Sequence, residues 1–375
     1  MTYRKRVLIL YITERSGHHS AALALKSAFE LKDPEGTVMC VNVTRHVFPF
    51  AEKVIHTLYM AVIKRVPKVW EKMYDNPKIV NNGKRLKNWI YALAVRRVDG
   101  LIKQFKPDAV ICTQAFPCGI VAEYKNTISN CSDLALLGVL TDFAPHAFWV
   151  HKNVDYYVTA CDESRDMLKS RGIEPEKIKT FGIPIDPKFS HELNREELLN
   201  NYGFKSEEPV VMVMGGGHGL GPIKDILREL DTSRRRYQLI VACGLNKKLY
   251  DWIHGARLRS KILSFRYTDQ IEKLMTMADV IITKPGGITT AEALAKKIPM
   301  VILNPIPGQE TRNSDFLISK GAAVKIDKPD EIIPVLDALM KGSAKRAGIL
   351  SLFKGFGGLS KPNASADIAD FVLKL

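Results

Sequence analysis

No run of about 18 or more apolar residues occurs in this sequence, so a membrane-spanning helix is not expected. The opening "MTYRKRVLIL" places positive charge before an apolar stretch. That stretch is too short for a signal peptide, has no small-residue cleavage site and continues into a glycine–histidine turn. Cysteine is sparse and scattered: Cys40, Cys112, Cys118, Cys131, Cys161 and Cys243 include no C-x-x-C pair. A disulfide scaffold and a structural zinc site therefore lack support; reduced, mostly buried thiols in a cytoplasmic protein are expected. Negative charge is also short, with 40 acidic against 55 basic residues and a formal net charge of +15. No nucleic-acid module signature accompanies that excess, so no nucleic-acid partner is expected. An anionic membrane surface or a polyanionic substrate remains.

What is present is a soluble composition, 46% hydrophobic and 25% charged, in a chain of 375 residues, long enough for two domains. The charge is uneven. From Arg45 to Lys106 basic residues outnumber acidic ones and are interleaved with Phe48, Phe50, Tyr59, Trp70, Tyr74, Trp89 and Tyr91. "FPFAEKVIHTLYMAVIKRVPKVW" has the pattern of a basic, aromatic amphipathic helix that lies on lipid headgroups; a solvated basic face over ordinary core aromatics is the plainer reading.

Short β-branched apolar runs alternate with helical patterns. Val7–Ile12, Asp108–Thr113, Leu134–Asp142 and Val154–Ala160 read as strands, the first leading to a helix from Ser20. "PVVMVMGGGHG", "YQLIVACG", "ADVIITKPGG" and "PMVILNP" follow as a second set. Such runs predict parallel sheets covered on both faces. Each half opens with a strand running into a glycine–histidine turn, "SGH" and "GGGHG". The expectation is an α/β protein of two Rossmann-like domains facing across a cleft, with ligands at the carboxyl ends of the strands. The boundaries read as residues 1–185 for the first domain, 186–208 for a linker, 209–350 for the second and 351–375 for a terminal helical segment.

Several stretches carry chemistry. In "VMVMGGGHGLGP" three glycines let backbone amides approach an anion, and a following helix offers its positive end. A tight turn without a ligand is the alternative; the G-K-[ST] ending of a P-loop is missing. In "ITKPGGITTAEALAKK" a strand ends at Thr283, Lys284 follows, and a turn opens a helix that Thr289 and Thr290 can cap. Glu292 is expected in that helix's first turn, either stabilising the helix dipole or accepting hydrogen bonds from vicinal hydroxyls. "NPIPGQETRNSDFL" sets Gln309, Glu310 and Asn313 on a loop suited to a hydroxyl-rich ligand.

Together "MGGGHGLGP", "TKPGGITTAEAL" and "PGQExxN" resemble the diacylglycerol glycosyltransferases, relatives of the enzyme that adds GlcNAc to the peptidoglycan lipid intermediate. The N-terminal turn and "TDFAPHAFWVHKNVDYYVTACDES" look like the same group, closest to its bacterial processive glucosyltransferases, and the resemblance spans essentially the whole chain. It implies a GT-B fold, with an N-terminal acceptor domain and a C-terminal nucleotide-sugar domain. By that similarity Gly215, Gly216, Gly217, His218 and Gly219 lie at the diphosphate, with Lys284, Gly286 and Gly287 on the same donor side. Glu292 would hold the ribose hydroxyls, Gln309, Glu310 and Asn313 the hexose or adjoining phosphate, and Tyr267 and Thr268 the uracil. No D-x-D triplet occurs, and no metal or other cofactor is expected; helix dipole and backbone amides can stabilise the departing diphosphate.

The family's G-x-G-H turn places its histidine on His18, after Gly17. It resembles the base that takes the acceptor's proton, a task that suits a group titrating near neutrality. A bland role for His18, on phosphate or as a cap, is the alternative. His19 reads as packing at the helix start; adjacent helical positions diverge by about 100°, which argues against a shared metal. Asp142, His146 and His151 look like acceptor-side features that orient a base, line the lipid entry or serve structure. Two departures stand out: "RSGHH" lacks the first glycine of many relatives, and Asp186 stands where many carry arginine, a loss that Lys188 could offset.

The expected function is inverting transfer of a hexose, glucose favoured over galactose, from a UDP-hexose to 1,2-diacylglycerol. The enzyme would be peripheral on the inner face of the cell membrane and could add sugars processively. The alternatives are a UDP-GlcNAc transferase acting on a polyprenyl-diphosphate lipid, a nucleotide-sugar 2-epimerase, and a non-catalytic UDP-sugar-binding membrane sensor. The sequence assigns no oligomeric state.

Overall fold

The computed structural model describes residues 4–47, 84–128, 133–303, 305, 308–341, 346–353 and 355–375, with the side chains of 84–92 and 346–347 left out. The basic aromatic segment from Phe48 through Tyr74, and the side chains of Trp89 and Tyr91, thus lie outside the described residues, as does Cys131. The chain divides into two compact units. The first comprises residues 1–187, 307–309 and 363–375; the second comprises residues 188–306 and 310–362.

The first unit is built on six parallel strands: β1 (Arg6–Tyr11), β2 (Thr37–Asn42), β3 (Ala109–Cys112), β4 (Ala135–Val139), β5 (Tyr156–Val158) and β6 (Ile178–Lys179). Their order is β2-β1-β3-β4-β5-β6, with Leu8 opposite Val110 and Ile111 opposite Leu137. The apolar run of β1 follows from burial on both faces. Leu8 and Leu10 join one cluster with Val110, Cys112 and Leu136, while Val7, Ile9 and Tyr11 join another with Ile111, Leu137 and Val139. The helix Gly17–Lys32 supplies Ala22, Leu25 and Phe29 to the second cluster. So does the terminal helix Ala364–Leu373, through Ile368, Ala369 and Val372. A Lys32–Asp370 ion pair at 2.7 Å and the Ser365 hydroxyl donating to the Ile185 carbonyl fasten that helix. Fully burying one such aliphatic side chain contributes about 1.5–3 kcal/mol, so this packing dominates over the exposed ion pair, worth about 1 kcal/mol or less.

The second unit repeats the plan with β7 (Val210–Met214), β8 (Gln238–Ala242), β9 (Lys261–Phe265), β10 (Val280–Thr283), β11 (Met300–Leu303) and β12 (Ala323–Ile326). The order is β12-β11-β10-β7-β8-β9, again all parallel. Buried Asp279 locks the start of β10 to β7. It accepts both Arg195 Nη2 contacts at 2.9 Å and the Val210 amide at 2.9 Å. Arg195 opens the helix Arg195–Asn201, so this part of the 186–208 stretch is a folded piece of the second unit.

In each sheet the chain winds first to one side and then crosses to the other. The crossing falls between β1 and β3 in the first unit and between β7 and β10 in the second. Loops leaving adjacent strands in opposite directions open a crevice at each point, where doubly wound sheets bind ligands.

Candidate active site

The loop after β1 carries the paired histidines. Ser16 caps the helix, its hydroxyl oxygen accepting the His19 amide at 3.3 Å, so the helix begins at Gly17, three residues before the Ser20 start expected. His18 and His19 therefore lie in its first turn, and Gly17 is exposed as the first helical residue. The two rings part company. His19 stacks on Tyr11 with centroids 4.5 Å apart, its Nδ1 accepts the Arg15 amide, and its Nε2 lies 3.4 Å from Glu14. That is the packing role expected of it.

The half-buried His18 ring turns to the ends of β3 and β4. Its Nδ1 lies 2.9 Å from the Thr113 carbonyl oxygen and 2.9 Å from the Thr141 hydroxyl oxygen. A carbonyl can only accept, so Nδ1 carries the hydrogen and Nε2 keeps the lone pair. The Thr113 hydroxyl returns a bond to the His18 carbonyl at 2.9 Å, which fixes backbone and ring together. Lost hydration pushes the His18 pKa down from 6.5 to about 4, against the opposing pull of the Thr113 carbonyl. At neutral pH the ring is an uncharged base.

Asp142 is buried directly after Thr141. Beyond it the loop is pinned at three carbonyls: Ser164 donates to Phe143, Arg171 to Pro145 at 2.8 Å and Tyr157 to His151 at 3.2 Å. The His151 amide also donates to the Tyr157 hydroxyl at 3.1 Å. His146 packs beside Phe148 and Trp149, and burial pushes its pKa down to about 3, with His18, Arg171 and His151 adding to the shift.

In the second unit the expected donor residues gather along the carboxyl edge of the sheet. After β7 the glycine turn closes on itself, Gly219 donating to the Gly216 carbonyl and Leu220 to that of Gly215 at 3.0 Å. Gly216 and Gly219 have φ of +68° and +58°. A Cβ on Gly215 would lie 2.0 Å from the Leu220 oxygen, and one on Gly219 2.1 Å from the Cys243 oxygen. The turn is thus glycine by necessity. The loop after β8 braces it: Leu245 donates to the Gly217 carbonyl at 2.9 Å and Asn246 to that of Gly219 at 3.0 Å. The helix of this segment starts only at Ile223, so its N-terminal end lies beyond the turn. Gly217 is exposed there and His218 half-buried.

Lys284 follows β10 and lies across the crossover from that turn: its Cε is 2.9 Å from where a Gly216 Cβ would be. Its ammonium meets Glu310 Oε1 at 2.5 Å. Tyr267 and Thr268 follow β9 on the same edge, Tyr267 exposed and the Thr268 hydroxyl accepting the Gln270 amide at 3.2 Å.

Three expectations are corrected. The helix Gly287–Ala295 starts after Gly286, so Thr289 and Thr290 are not its caps; Thr290 instead donates back to the carbonyls of Gly286 and Gly287 at 3.0 Å. Glu292 accordingly lies in the second turn, half-buried, rather than at the dipole's first turn. Gln309, Glu310 and Asn313 are helical, not looped: Gly308, at φ +99°, ends the loop and the helix Gln309–Ser319 begins at once. Buried Asn313 donates to the Pro285 carbonyl at 3.1 Å, bracing the "PGG" turn. Lys188 pairs with Glu272 at 3.4 Å and donates to the Asp269 carbonyl, so its ammonium serves the second unit's own acidic group.

Sequence reading missed Thr113 and Thr141 around His18, and Gly244 and Asn246 behind the glycine turn. The signal was positional: Thr113 directly follows β3, and Thr141, Gly244 and Asn246 lie within four residues of the ends of β4 and β8.

Comparison with known proteins finds relatives for both units. Residues 18–185 match the Monogalactosyldiacylglycerol (MGDG) synthase family, and residues 210–347 the Glycosyltransferase family 28 C-terminal domain. A relative from Bacillus cytotoxicus, described as a processive diacylglycerol beta-glucosyltransferase, is 31% identical over 100% of this chain and 95% of its own length. The solved structure of Acinetobacter baumannii MurG aligns with a TM-score of 0.61 at 15% identity, over 99% of this chain and 100% of that one. The Anabaena Alr3699/HepE structure in complex with UDP-glucose aligns at 0.58 and 15%, over 98% and 99%. These likenesses show the GT-B fold.

Proposed function

The chain belongs to the diacylglycerol glycosyltransferase family, and we propose that it transfers glucose from UDP-glucose to the hydroxyl of 1,2-diacylglycerol at a membrane surface, with inversion to a β-glycoside. The observation that carries this reading is a neutral histidine at the first sheet's crossover, in a chain related over its full length to a processive diacylglycerol beta-glucosyltransferase.

In this mechanism His18 Nε2 removes the proton from the lipid hydroxyl as its oxygen attacks the anomeric carbon. The bond to the diphosphate breaks and its electron pair leaves with UDP. A neutral base is what the step requires, and it contributes about 10²–10⁴-fold to such reactions. Amides of the Gly215–Gly219 turn and the Lys284 ammonium supply the positive end that receives the departing charge. Glu292 is assigned to the ribose, Gln309 and Glu310 to the hexose or adjoining phosphate, and Tyr267 and Thr268 to the uracil. Asn313 acts through the turn it braces.

Peripheral association with the inner face of the cell membrane follows from the lipid acceptor and the +15 charge, at roughly 1 kcal/mol for each basic residue near an anionic leaflet. Among the described residues no helix is long and apolar enough to cross a membrane. The purified protein is to be given labelled UDP-glucose, UDP-galactose or UDP-GlcNAc, with diacylglycerol or a polyprenyl diphosphate in anionic vesicles. A labelled β-glucosyl lipid made only from diacylglycerol is expected. Product only from UDP-GlcNAc and the polyprenyl acceptor would replace this reading, and UDP-glucose binding without turnover would favour a sensor.

A further inference from the structure

We propose that Thr141 is a positioning residue for His18: its hydroxyl oxygen shares the Nδ1 proton with the Thr113 carbonyl, so that two neutral oxygens hold the imidazolium formed when Nε2 takes the acceptor's proton. The inference rests on His18 being the base.

The geometry leaves Nδ1 little choice. Both oxygens lie 2.9 Å from it, and both residues are buried, Thr141 4% and Thr113 0% exposed. In the other tautomer the Nδ1 lone pair would face the Thr113 carbonyl oxygen at that distance, a buried acceptor left without a donor. With hydrogen on Nδ1, both oxygens accept it and the lone pair of Nε2 is the one that remains for chemistry. Protonating Nε2 then strengthens both contacts, because a hydrogen bond from a charged group is about twice as strong as a neutral one. Catalytic histidines elsewhere are oriented by a carboxylate. Here the ends of two adjacent strands take that place, the Thr113 carbonyl from β3 and the Thr141 hydroxyl from β4. Neutral oxygens orient the ring without the full charge that would raise its pKa, so it remains a base at neutral pH. The proton balance is simple: one proton moves from the lipid oxygen to Nε2, Nδ1 keeps its own, and Nε2 later releases its proton to water.

The test uses the full chain labelled with ¹⁵N-histidine, as wild type, Thr141→Val, Thr141→Ser and His18→Gln, the last to assign the His18 signals. Two-bond ¹H–¹⁵N spectra of the wild type at neutral pH should show hydrogen on Nδ1 and an unprotonated Nε2. Thr141→Val, which keeps the shape, should lower kcat about tenfold with the KM for UDP-glucose unchanged and shift the Nδ1 signal. Thr141→Ser should restore kcat to within about threefold. UDP binding by each variant shows that it has folded. Hydrogen on Nε2 in the wild type, full activity in Thr141→Val, or a serine variant as impaired as the valine one would each overturn the proposal. Loss of transfer in His18→Gln alongside a fully active Thr141→Val would overturn this inference and leave the base assignment standing; transfer surviving in His18→Gln would remove the base assignment itself.

Discussion

Lys284 and Glu310 hold each other at 2.5 Å, and the stem of the lysine rests against Gly216 of the opposite strand's turn. Both side chains are largely buried, so the pair presents a partly desolvated cation beside backbone amides at the crossover of the second sheet. Its consequences are measurable.

Lys284→Met removes the cation and leaves the Glu310 carboxylate facing the glycine turn. A bound diphosphate then loses an attractive charge and gains a repulsive one. UDP affinity measured by titration calorimetry should fall about ten- to a hundredfold, or roughly 1.4–2.8 kcal/mol. The double variant Lys284→Met/Glu310→Gln should recover part of that loss. Wild-type affinity in Lys284→Met would remove the lysine from the nucleotide site.

The glycines should differ in tolerance. Gly219→Ala forces a side chain into φ +58° and sets its Cβ 2.1 Å from a backbone oxygen, so the strands must move. Gly286 has φ −70° and nothing within 4 Å of an added Cβ. Thermal melts should show Gly219→Ala losing several degrees or failing to fold, and Gly286→Ala staying within about 1 °C of wild type. Equal tolerance would contradict the described turn.

Two half-buried histidines set a pH dependence of stability. His18 is lowered from 6.5 to about 4 and His146 from 6.5 to about 3, chiefly by lost hydration. The unfolded chain therefore takes up protons below pH 6.5 that the folded chain refuses. Stability from this source is whole above 6.5 and falls as pH drops towards 4. Urea midpoints between pH 7.5 and 4.5 should decline less steeply in His18→Gln, by about one proton's slope, near 1.4 kcal/mol per pH unit. Parallel slopes would show that His18 titrates normally.

Legibility in the sequence followed burial. The eight strands legible in the sequence are the central ones, whose residues are largely buried and form apolar runs. The four that were not read, β2, β6, β9 and β12, are the four sheet edges. Edge strands here are short or half-exposed, such as "KILSF" with no buried position, and their apolar signal is diluted. His18, the glycine turn and Lys284 were legible because each couples an unusual residue type to a strand end. Thr113 and Thr141 were not, since threonine at a strand end is ordinary and its meaning comes from a ring 95 and 123 residues away. The Gln309–Ser319 helix reads as a loop in the sequence because proline and glycine precede it, and glycine at φ +99° ends one segment as readily as it continues it.

The most direct test of the account is the turnover of His18→Ala, measured as labelled glucose passed to diacylglycerol in vesicles, beside its affinity for UDP. Loss of a general base should cut kcat by about 10²–10⁴-fold while UDP binds as it does to wild type. A His18→Ala enzyme that turns over within a few-fold of wild type would contradict the assignment of His18 as the base.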